Sequence, residues 1–359
     1  MNNRIVPVHC IVPPHILREI AQRGEAEQRA WALQTLSITE QMRGQRQAIG
    51  PIAFALTVPA GQKRRTIYTA KNKSTLPGQL VRGEGDRPTG DPAEDEAYEG
   101  LGATYDLYQE VYGRNSIDDR GMRLDGTCHY KKNYDNAFWN GQQMVFGDGD
   151  GQIFLRFTRS VDVIGHELTH GVTQLTAGLV YQDQPGALNE SMSDVFGSLV
   201  KQRTLTQEAK NADWLIGAGL LAPTVNGQAL RSMKAPGTAY DDRLLGKDPQ
   251  PAHMKNYVDT EDDNGGVHIN SGIPNHAFYV TSIEIGGYAW EKAGKIWYIA
   301  LSKRLNESSD FQNAADTTFQ VAGEQYGNGS TEQQAVRKGW AEVGINVAAA
   351  GAAGAGGGR

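Results

Sequence analysis

Residues 166–170 read His-Glu-Leu-Thr-His. Two imidazoles four apart with a carboxylate between them are the ingredients of metal-assisted hydrolysis. On a helix, His166 and His170 leave the same face. Two neutral nitrogens so placed fit one tetrahedral Zn²⁺. Glu167, beside the first histidine, can take a proton from a metal-activated water. At the His and Glu frequencies of this chain, a random match to the pattern is expected about 0.01 times. A surface helix that merely carries histidines is therefore the weaker reading.

A catalytic zinc keeps three protein ligands and one open position. The extension that would supply a third histidine fails: Thr173 stands where its Gly would be and Thr176 where its His would be. Downstream, GALNESMSDVFGSLV opens a helix carrying Glu190 and Asp194, again four apart. Glu190 can complete a His₂Glu set. Asp194, one turn on, can accept the second N–H of a ligand histidine and fix its tautomer, and Asn189 can give similar support. The alternative, an exposed acidic face, sits poorly with a segment otherwise small and apolar.

These groups need a scaffold. The 359 residues suggest two domains or three small ones. Hydrophobic content of 39% and charged content of 21% exclude disorder, and no apolar run is long enough to span a membrane. The net charge of −6 gives no basic footprint for nucleic acid. Two cysteines, Cys10 and Cys128, are too few for a disulfide framework. From Pro51 to Thr158 the pattern is short strands with Gly-rich turns: IAFALTV, RRTIYTAKN, and QQMVFGDGDGQIFLRF with GDGDG as a hairpin connection. Between them, DPAEDEAYEGLGATYDLYQEVYG is helical by its apolar spacing. From Val161 onward the segments are helical. Strands followed by helices mean an α+β chain with two lobes of different class.

The N-terminus reads differently. Pro7, His9, Pro13 and Pro14 interrupt the apolar start, which argues against a Sec signal. A cytoplasmic protein, or one exported by a non-classical route, is expected. Pro14 starts a short helix that Gly24 stops, and a second runs from Glu25 to about Met42 with Trp31, Leu33, Leu36 and Met42 as contacts. Two such helices cannot bury a core alone and must lie on another surface. Residues 347–359 are a low-complexity Ala/Gly tail, expected to be disordered.

Together HELTH, GALNESMSD, NAFWNG with GDGDG, LRSM and DNGGVHINSGIPNHAFY resemble the thermolysin-like neutral zinc metalloproteases over about residues 125–345. The resemblance implies a two-lobe fold with one zinc in the cleft. It implies Glu190 as third ligand, Glu167 as general base, and His268, oriented by Asp263, with Tyr181 as oxyanion donors. Arg231 would grip the substrate carbonyl, while Asn136 and Ala137 would pair with the substrate backbone. A lone histidine such as His268 is ordinarily a core residue; its setting in GGVHINSG reverses that. The chemistry agrees: a cation, a phenol and an imidazolium can stabilise the charge that develops on a scissile carbonyl. Extended peptides bind by adding a strand to an open edge. The positions of the family's S1′ pocket are Phe154, Phe157, Val163, Ile216 and Leu230, all apolar, although Val163 has core packing as its alternative role. Burying Leu or Phe there gains about 1.5–3 kcal/mol, so cleavage on the amino side of large hydrophobic residues is expected.

The chain departs from the type member where a double calcium site would be. Asp162 and Asp213 remain, but Lys201, Leu215 and Ala218 replace acidic residues. A lysine ammonium repels calcium, so the double site is expected to be absent, with Lys201 paired to Asp162 or Asp213. Other calcium sites are left open. This departure and VPPHIL at 12–17 resemble the protealysin-like branch, whose members carry a short propeptide with a Pro-Pro motif. The implied layout is a propeptide at 1–48 with Pro13 and Pro14 as inhibitory contacts, a β-rich lobe at 49–182, a helical lobe at 183–346 and the tail. The propeptide would lie over the cleft and keep the enzyme latent. Cys10 offers a thiolate for zinc's open position, with His9 or the Pro-Pro contact as alternatives; Cys128 reads as core.

The expected protein is thus a monomeric zinc endopeptidase made as a latent precursor, acting on peptides or proteins, with its own propeptide as inhibitor and no nucleic-acid or membrane partner. Two rivals stand beside it. A zinc aminopeptidase needs an acidic anchor that NAFW does not offer, and a non-catalytic zinc-dependent binding protein has no use for Glu167, His268, Arg231 and Tyr181.

Overall fold

A computed structural model describes residues 9–48 and 59–347. The strand expected at IAFALTV, and the tail beyond Val347, lie outside the described residues. The described residues begin with a short strand β1 (His9–Cys10), helix α1 (Pro14–Arg23) and helix α2 (Ala26–Ala48). Pro14 occupies the first turn of α1, where its missing N–H costs nothing, and the Gly24 N–H closes the helix on the Ile20 carbonyl at 2.8 Å. Helix α2 turns Ala32, Thr35, Ile38 and Thr39 inward, whereas Leu33 is 56% exposed. Leu33 was expected as a contact; it points away because the inward stripe falls on its neighbour Ala32. The Met42 side chain lies outside the described residues.

Next come β2 (Arg65–Thr69), β3 (Gln79–Arg82), α3 (Pro92–Asp106), β4 (Leu124–Cys128), β5 (Ala137–Trp139) and β6 (Gln143–Phe146). They form one mixed sheet in the order β1-β5-β6-β4-β2-β3. Strand β4 runs parallel to β2 and β6; the other pairs are antiparallel. The hairpin expected at GDGDG does not form. Both neighbours of β6 come from earlier in the chain, and the Asp150 side chain caps the N–H groups of Gln152, Ile153 and Phe154 at 2.7–3.0 Å. That local cap turns the chain off the sheet. Phe154 then bridges to Leu221.

The rest is mostly helical: α4 (Val161–Leu175), α5 (Asp183–Thr204), a short strand pair β7 (Leu215–Ile216) and β8 (Arg231–Ser232), then α6 (Asp263–Asn270), α7 (Gly272–Ile285), α8 (Ala293–Lys303), α9 (Phe311–Tyr326) and α10 (Thr331–Glu342). Helix α10 was not anticipated. Its inward residues are sparse, but Ser330 caps it and Trp340 is fully buried. One apolar core runs from α1 through the sheet-facing helices to α10. Among the described residues, no helix is long and apolar enough to cross a membrane.

Candidate active site

Helices α4 and α5 touch backbone to backbone through two glycines. A Cβ on Gly165 would stand 3.0 Å from the Gly197 Cα, and one on Gly197 would stand 2.4 Å from the Asp162 carbonyl. This close approach brings Glu190 of α5 against the histidine face of α4. His166, His170 and Glu190 are all buried, and their ligand atoms lie within 4.8 Å of one another.

The protons on these groups say what belongs between them. His166 Nδ1 lies 2.8 Å from Asp194 Oδ1, and His170 Nδ1 lies 2.9 Å from Asn189 Oδ1. Both acceptors oblige Nδ1 to carry the hydrogen, so both Nε2 atoms present lone pairs. Those two Nε2 atoms are 3.0 Å apart. Glu190 adds its carboxylate at 3.4 and 3.5 Å from them, and its Oε2 has no hydrogen-bond partner among the described residues. Two facing lone pairs and a buried anion repel unless a cation sits among them. Two imidazoles and one carboxylate fit zinc.

Glu167, on the same helix, accepts the Trp139 N–H at 3.1 Å through Oε2, while its buried Oε1 has no partner among the described residues. Burial pushes its carboxyl well above the usual carboxylate range, and the charge of Glu190 adds to the push. His268 is set by an unusual backbone: Asp263, Asn264, Gly265 and Gly266 are all left-handed, and a Cβ on Gly265 would collide with Asp183. This loop puts the Asp263 carboxylate 2.8 Å from His268 Nδ1 and on the His268 N–H at 3.1 Å. Burial works against the His268 proton, but Asp263 outweighs it and holds the imidazole above its ordinary pKa. His268 Nε2 lies 3.2 Å from the Tyr181 hydroxyl, which donates to Glu190.

Arg231, on β8, is buried and lays Nε and Nη2 on the two oxygens of Asp194, each at 2.8 Å. Burial opposes the Asp194 charge, yet Arg231 and His166 hold that carboxyl below its usual range. The apolar residues Phe154, Phe157, Val163, Ile216 and Leu230 are all buried in the same core. Two of them adjoin Arg231 directly, because Ile216 is its partner across β7–β8 and Leu230 precedes it.

The cleft is crossed by the start of the chain. Strand β1 pairs antiparallel with β5, His9 opposite Trp139 and Cys10 opposite Phe138. The pairing continues through the Ile11 N–H on the Ala137 carbonyl (3.3 Å) and the Val12 N–H on Asn136 Oδ1 (3.0 Å). The Cys10 carbonyl meets His268 Nε2 at 3.3 Å and the Ile11 carbonyl meets Arg231 Nη1 at 3.1 Å. Asn136 and Ala137 thus hold a backbone, and it is the chain's own. Pro13 and Pro14 are buried but follow this strand; Pro13 precedes and Pro14 begins α1. The Cys10 thiol donates to the Thr39 hydroxyl at 3.8 Å and packs beside Tyr134 and Phe138. Cys128 is buried, with its thiol on the Ala93 carbonyl.

Three supporting contacts were missed in the sequence. The Trp139 N–H serves Glu167, Ser193 Oγ lies 3.0 Å from His170 Nδ1, and Asn275 donates to Asp194 at 2.8 Å. Ser193 and Asn275 fall inside quoted motifs, but no spacing rule singles them out. Away from the cleft, the Lys201 ammonium lies 3.0 Å from Asp162 and 2.8 Å from Asp213, so both expected ion pairs form.

Residues 54–174 match the catalytic domain of the thermolysin metallopeptidases and residues 177–345 match their alpha-helical domain. The chain belongs to the thermolysin metallopeptidases. Residues 9–49 match the protealysin propeptide, so this thermolysin-family protease is a precursor with its propeptide in place. An extracellular metalloprotease of Pectobacterium carotovorum subsp. carotovorum is 53% identical, over 95% of this chain and 97% of its own. An extracellular minor metalloprotease of Serratia marcescens is 44% identical over 79% of each. The solved precursor of protealysin from Serratia proteamaculans is 54% identical with a TM-score of 0.87, covering 94% of this chain and 99% of that one. The mixed sheet and helical region follow the thermolysin-like fold. The expectation of a cytoplasmic protein is corrected: the Pectobacterium and Serratia marcescens relatives are both named extracellular, which points to secretion. The interrupted apolar start was too narrow a basis for a compartment.

Proposed function

We propose that this precursor matures into a zinc endopeptidase that cleaves on the amino side of large hydrophobic residues. The observation that carries the reading is the strand of residues 9–12 on β5, with its carbonyls on His268 and Arg231. A substrate entering the same cleft as an added strand would meet the same donors.

His166, His170 and Glu190 would hold the metal, with Asp194 and Asn189 fixing the two histidine tautomers. Zinc bound there supplies a Lewis acid that polarises a carbonyl and lowers the pKa of water. Glu167 takes the proton of the attacking water and passes it to the leaving amine; its unpartnered Oε1 is the free acceptor for this. His268, kept protonated by Asp263, and the Tyr181 hydroxyl stabilise the oxyanion, and Arg231 binds a neighbouring carbonyl. Phe154, Phe157, Val163, Ile216 and Leu230 form the apolar pocket beside Arg231. In the precursor, residues 1–48 withhold the cleft, β1 by occupying the edge. We read the Lys201 ammonium between Asp162 and Asp213 as standing in place of a double calcium site.

A series of blocked peptides varying the residue after the scissile bond tests the reading. Leu and Phe should be preferred over Ala and Asp. Cleavage restricted to free N-terminal peptides would point to an aminopeptidase, and no cleavage to a binding protein.

A further inference from the structure

Among the described residues, one peptide bond of the prosegment has its two ends on two different parts of the candidate catalytic machinery. The carbonyl of Cys10 lies 3.3 Å from His268 Nε2, on the ring that Asp263 orients. The nitrogen of that same bond belongs to Ile11, whose N–H donates to the Ala137 carbonyl at 3.3 Å. This N–H also faces the Glu167 carboxylate, as does that of Trp139. The following carbonyl, of Ile11, has already passed on to Arg231 Nη1 at 3.1 Å, and the following N–H, of Val12, to Asn136 Oδ1 at 3.0 Å. The side chains keep the same register. Ile11 is fully buried in the core that holds Phe154, Phe157, Ile216 and Leu230, whereas Cys10 lies in a separate cluster with Tyr134 and Phe138.

A peptide bond is hydrolysed where its carbonyl meets the oxyanion donors and its nitrogen meets the group that returns the proton. Within residues 9–12, Cys10–Ile11 meets both conditions. The segment after this bond is held independently of it. Ile16, Leu17 and Ile20 of α1 are buried, Arg18 reaches Asp262 at 3.4 Å, and the Asp135 N–H donates to the Thr35 hydroxyl at 3.3 Å. A cut would therefore leave the new Ile11 amine in place beside the carboxyl it had left, at the high effective concentration that favours closing the bond again.

We infer that the prosegment is held as a substrate of its own cleft, with Cys10–Ile11 as the scissile bond and the segment from Ile11 onward as a product that does not leave. Water adds to the Cys10 carbonyl carbon, the C–N bond to Ile11 breaks, and Glu167 carries the water's proton to the Ile11 nitrogen. Cys10 ends as a carboxylate and Ile11 as an ammonium. Reversal expels one of the two carboxylate oxygens as water and restores the bond. Latency survives the cut, because Arg231 and Asn136 keep their hold on Ile11 and Val12. The inference rests on the endopeptidase reading above, and this cut is distinct from the one that severs the prosegment from the catalytic chain.

The test is oxygen exchange in the full-length precursor, loaded with Zn²⁺, incubated in H₂¹⁸O, then denatured, digested in ordinary water and read by mass spectrometry. The parent should carry ¹⁸O at Cys10, either at a cut end or in the restored bond, together with a new N-terminus at Ile11. Glu167→Gln should carry at least about 100-fold less. The cut precursor should stay latent towards a blocked Leu peptide. An unlabelled Cys10 overturns the inference, as does label at a neighbouring residue instead, or a cut precursor as active as the mature enzyme. The mature enzyme keeps the two readings apart. If it cleaves blocked Leu and Phe peptides while Cys10 stays unlabelled, the register alone falls; if it cleaves none, the endopeptidase reading falls and this inference with it.

Discussion

Arg231 and Asp194 meet fork to fork, with two contacts of 2.8 Å, and the same carboxylate also receives His166 Nδ1 at 2.8 Å. One buried anion therefore sets both the tautomer of a candidate metal ligand and the aim of the cation that reaches the Ile11 carbonyl. The two jobs separate by mutation. Arg231→Lys cannot keep both contacts and should lower kcat/KM of the mature enzyme by about 10²–10³-fold with bound zinc little changed. Asp194→Asn should weaken zinc binding about 10–100-fold. Peptide kinetics beside metal titration would read both, and full activity in Arg231→Lys would remove Arg231 from the site.

On the proposed reading Glu167 moves protons and does not bind the metal. Glu167→Gln should retain zinc and lower kcat by about 10²–10⁴-fold. Expressed alone, this variant should remain full-length on a gel if the chain processes itself. Substantial turnover with zinc in place would exclude Glu167 as the general base.

His15 should make docking of the prosegment sensitive to acid. Its Nε2 meets the Tyr240 hydroxyl at 3.0 Å, while its buried Nδ1 has no partner among the described residues. Burial lowers its pKa from 6.5 to about 4; Asp263 opposes this, and His268, Arg231 and Arg18 reinforce it. The docked ring is neutral, whereas a released ring would have its ordinary pKa. Docking is thus at full strength above about pH 7 and weakens as pH falls from about 6.5 towards 4. Inhibition of the mature enzyme by a peptide of the prosegment should be roughly 10–30-fold weaker at pH 5 than at pH 7.5. His15→Gln should flatten that dependence; an unchanged slope would assign it to other groups.

Lys201 holds two carboxylates together. Burial works against its proton, but Asp162 and Asp213 outweigh it and keep the ammonium charged. Lys201→Met leaves Asp162, almost fully buried, without its cation and should cost about 3 kcal/mol. Thermal melting should show the loss, and millimolar Ca²⁺ should restore part of it in the variant. An unchanged melting temperature would mean that the pair contributes nothing.

What could be read from the sequence was local. His166 and His170 share a helix face, as do Glu190 and Asp194, so a spacing of four exposes each pair. The fork between Arg231 and Asp194 joins residues 37 apart, one on a two-residue strand and the other on helix α5, and no period announces it. Strand β1 is equally silent, since His9–Cys10 becomes a strand only because Trp139 and Phe138 offer an open edge. The prosegment helices were legible from Pro14 and Gly24, but the inward stripe of α2 fell on threonines and alanine and so misled the reading at Leu33. Helix α10 escaped for a similar reason: its buried side chains are few and its surface is polar.

Among the described residues, strand β1 is an outermost member of a six-stranded sheet. Removing it at maturation strips that sheet of its border and bares the hydrogen-bonding groups of Ala137–Trp139 beside an apolar floor. A naked border of this kind captures any extended chain, wanted or not. On the reading proposed above, the prosegment is also a guard rail for solubility: it keeps that flank sealed until substrate can fill the gap.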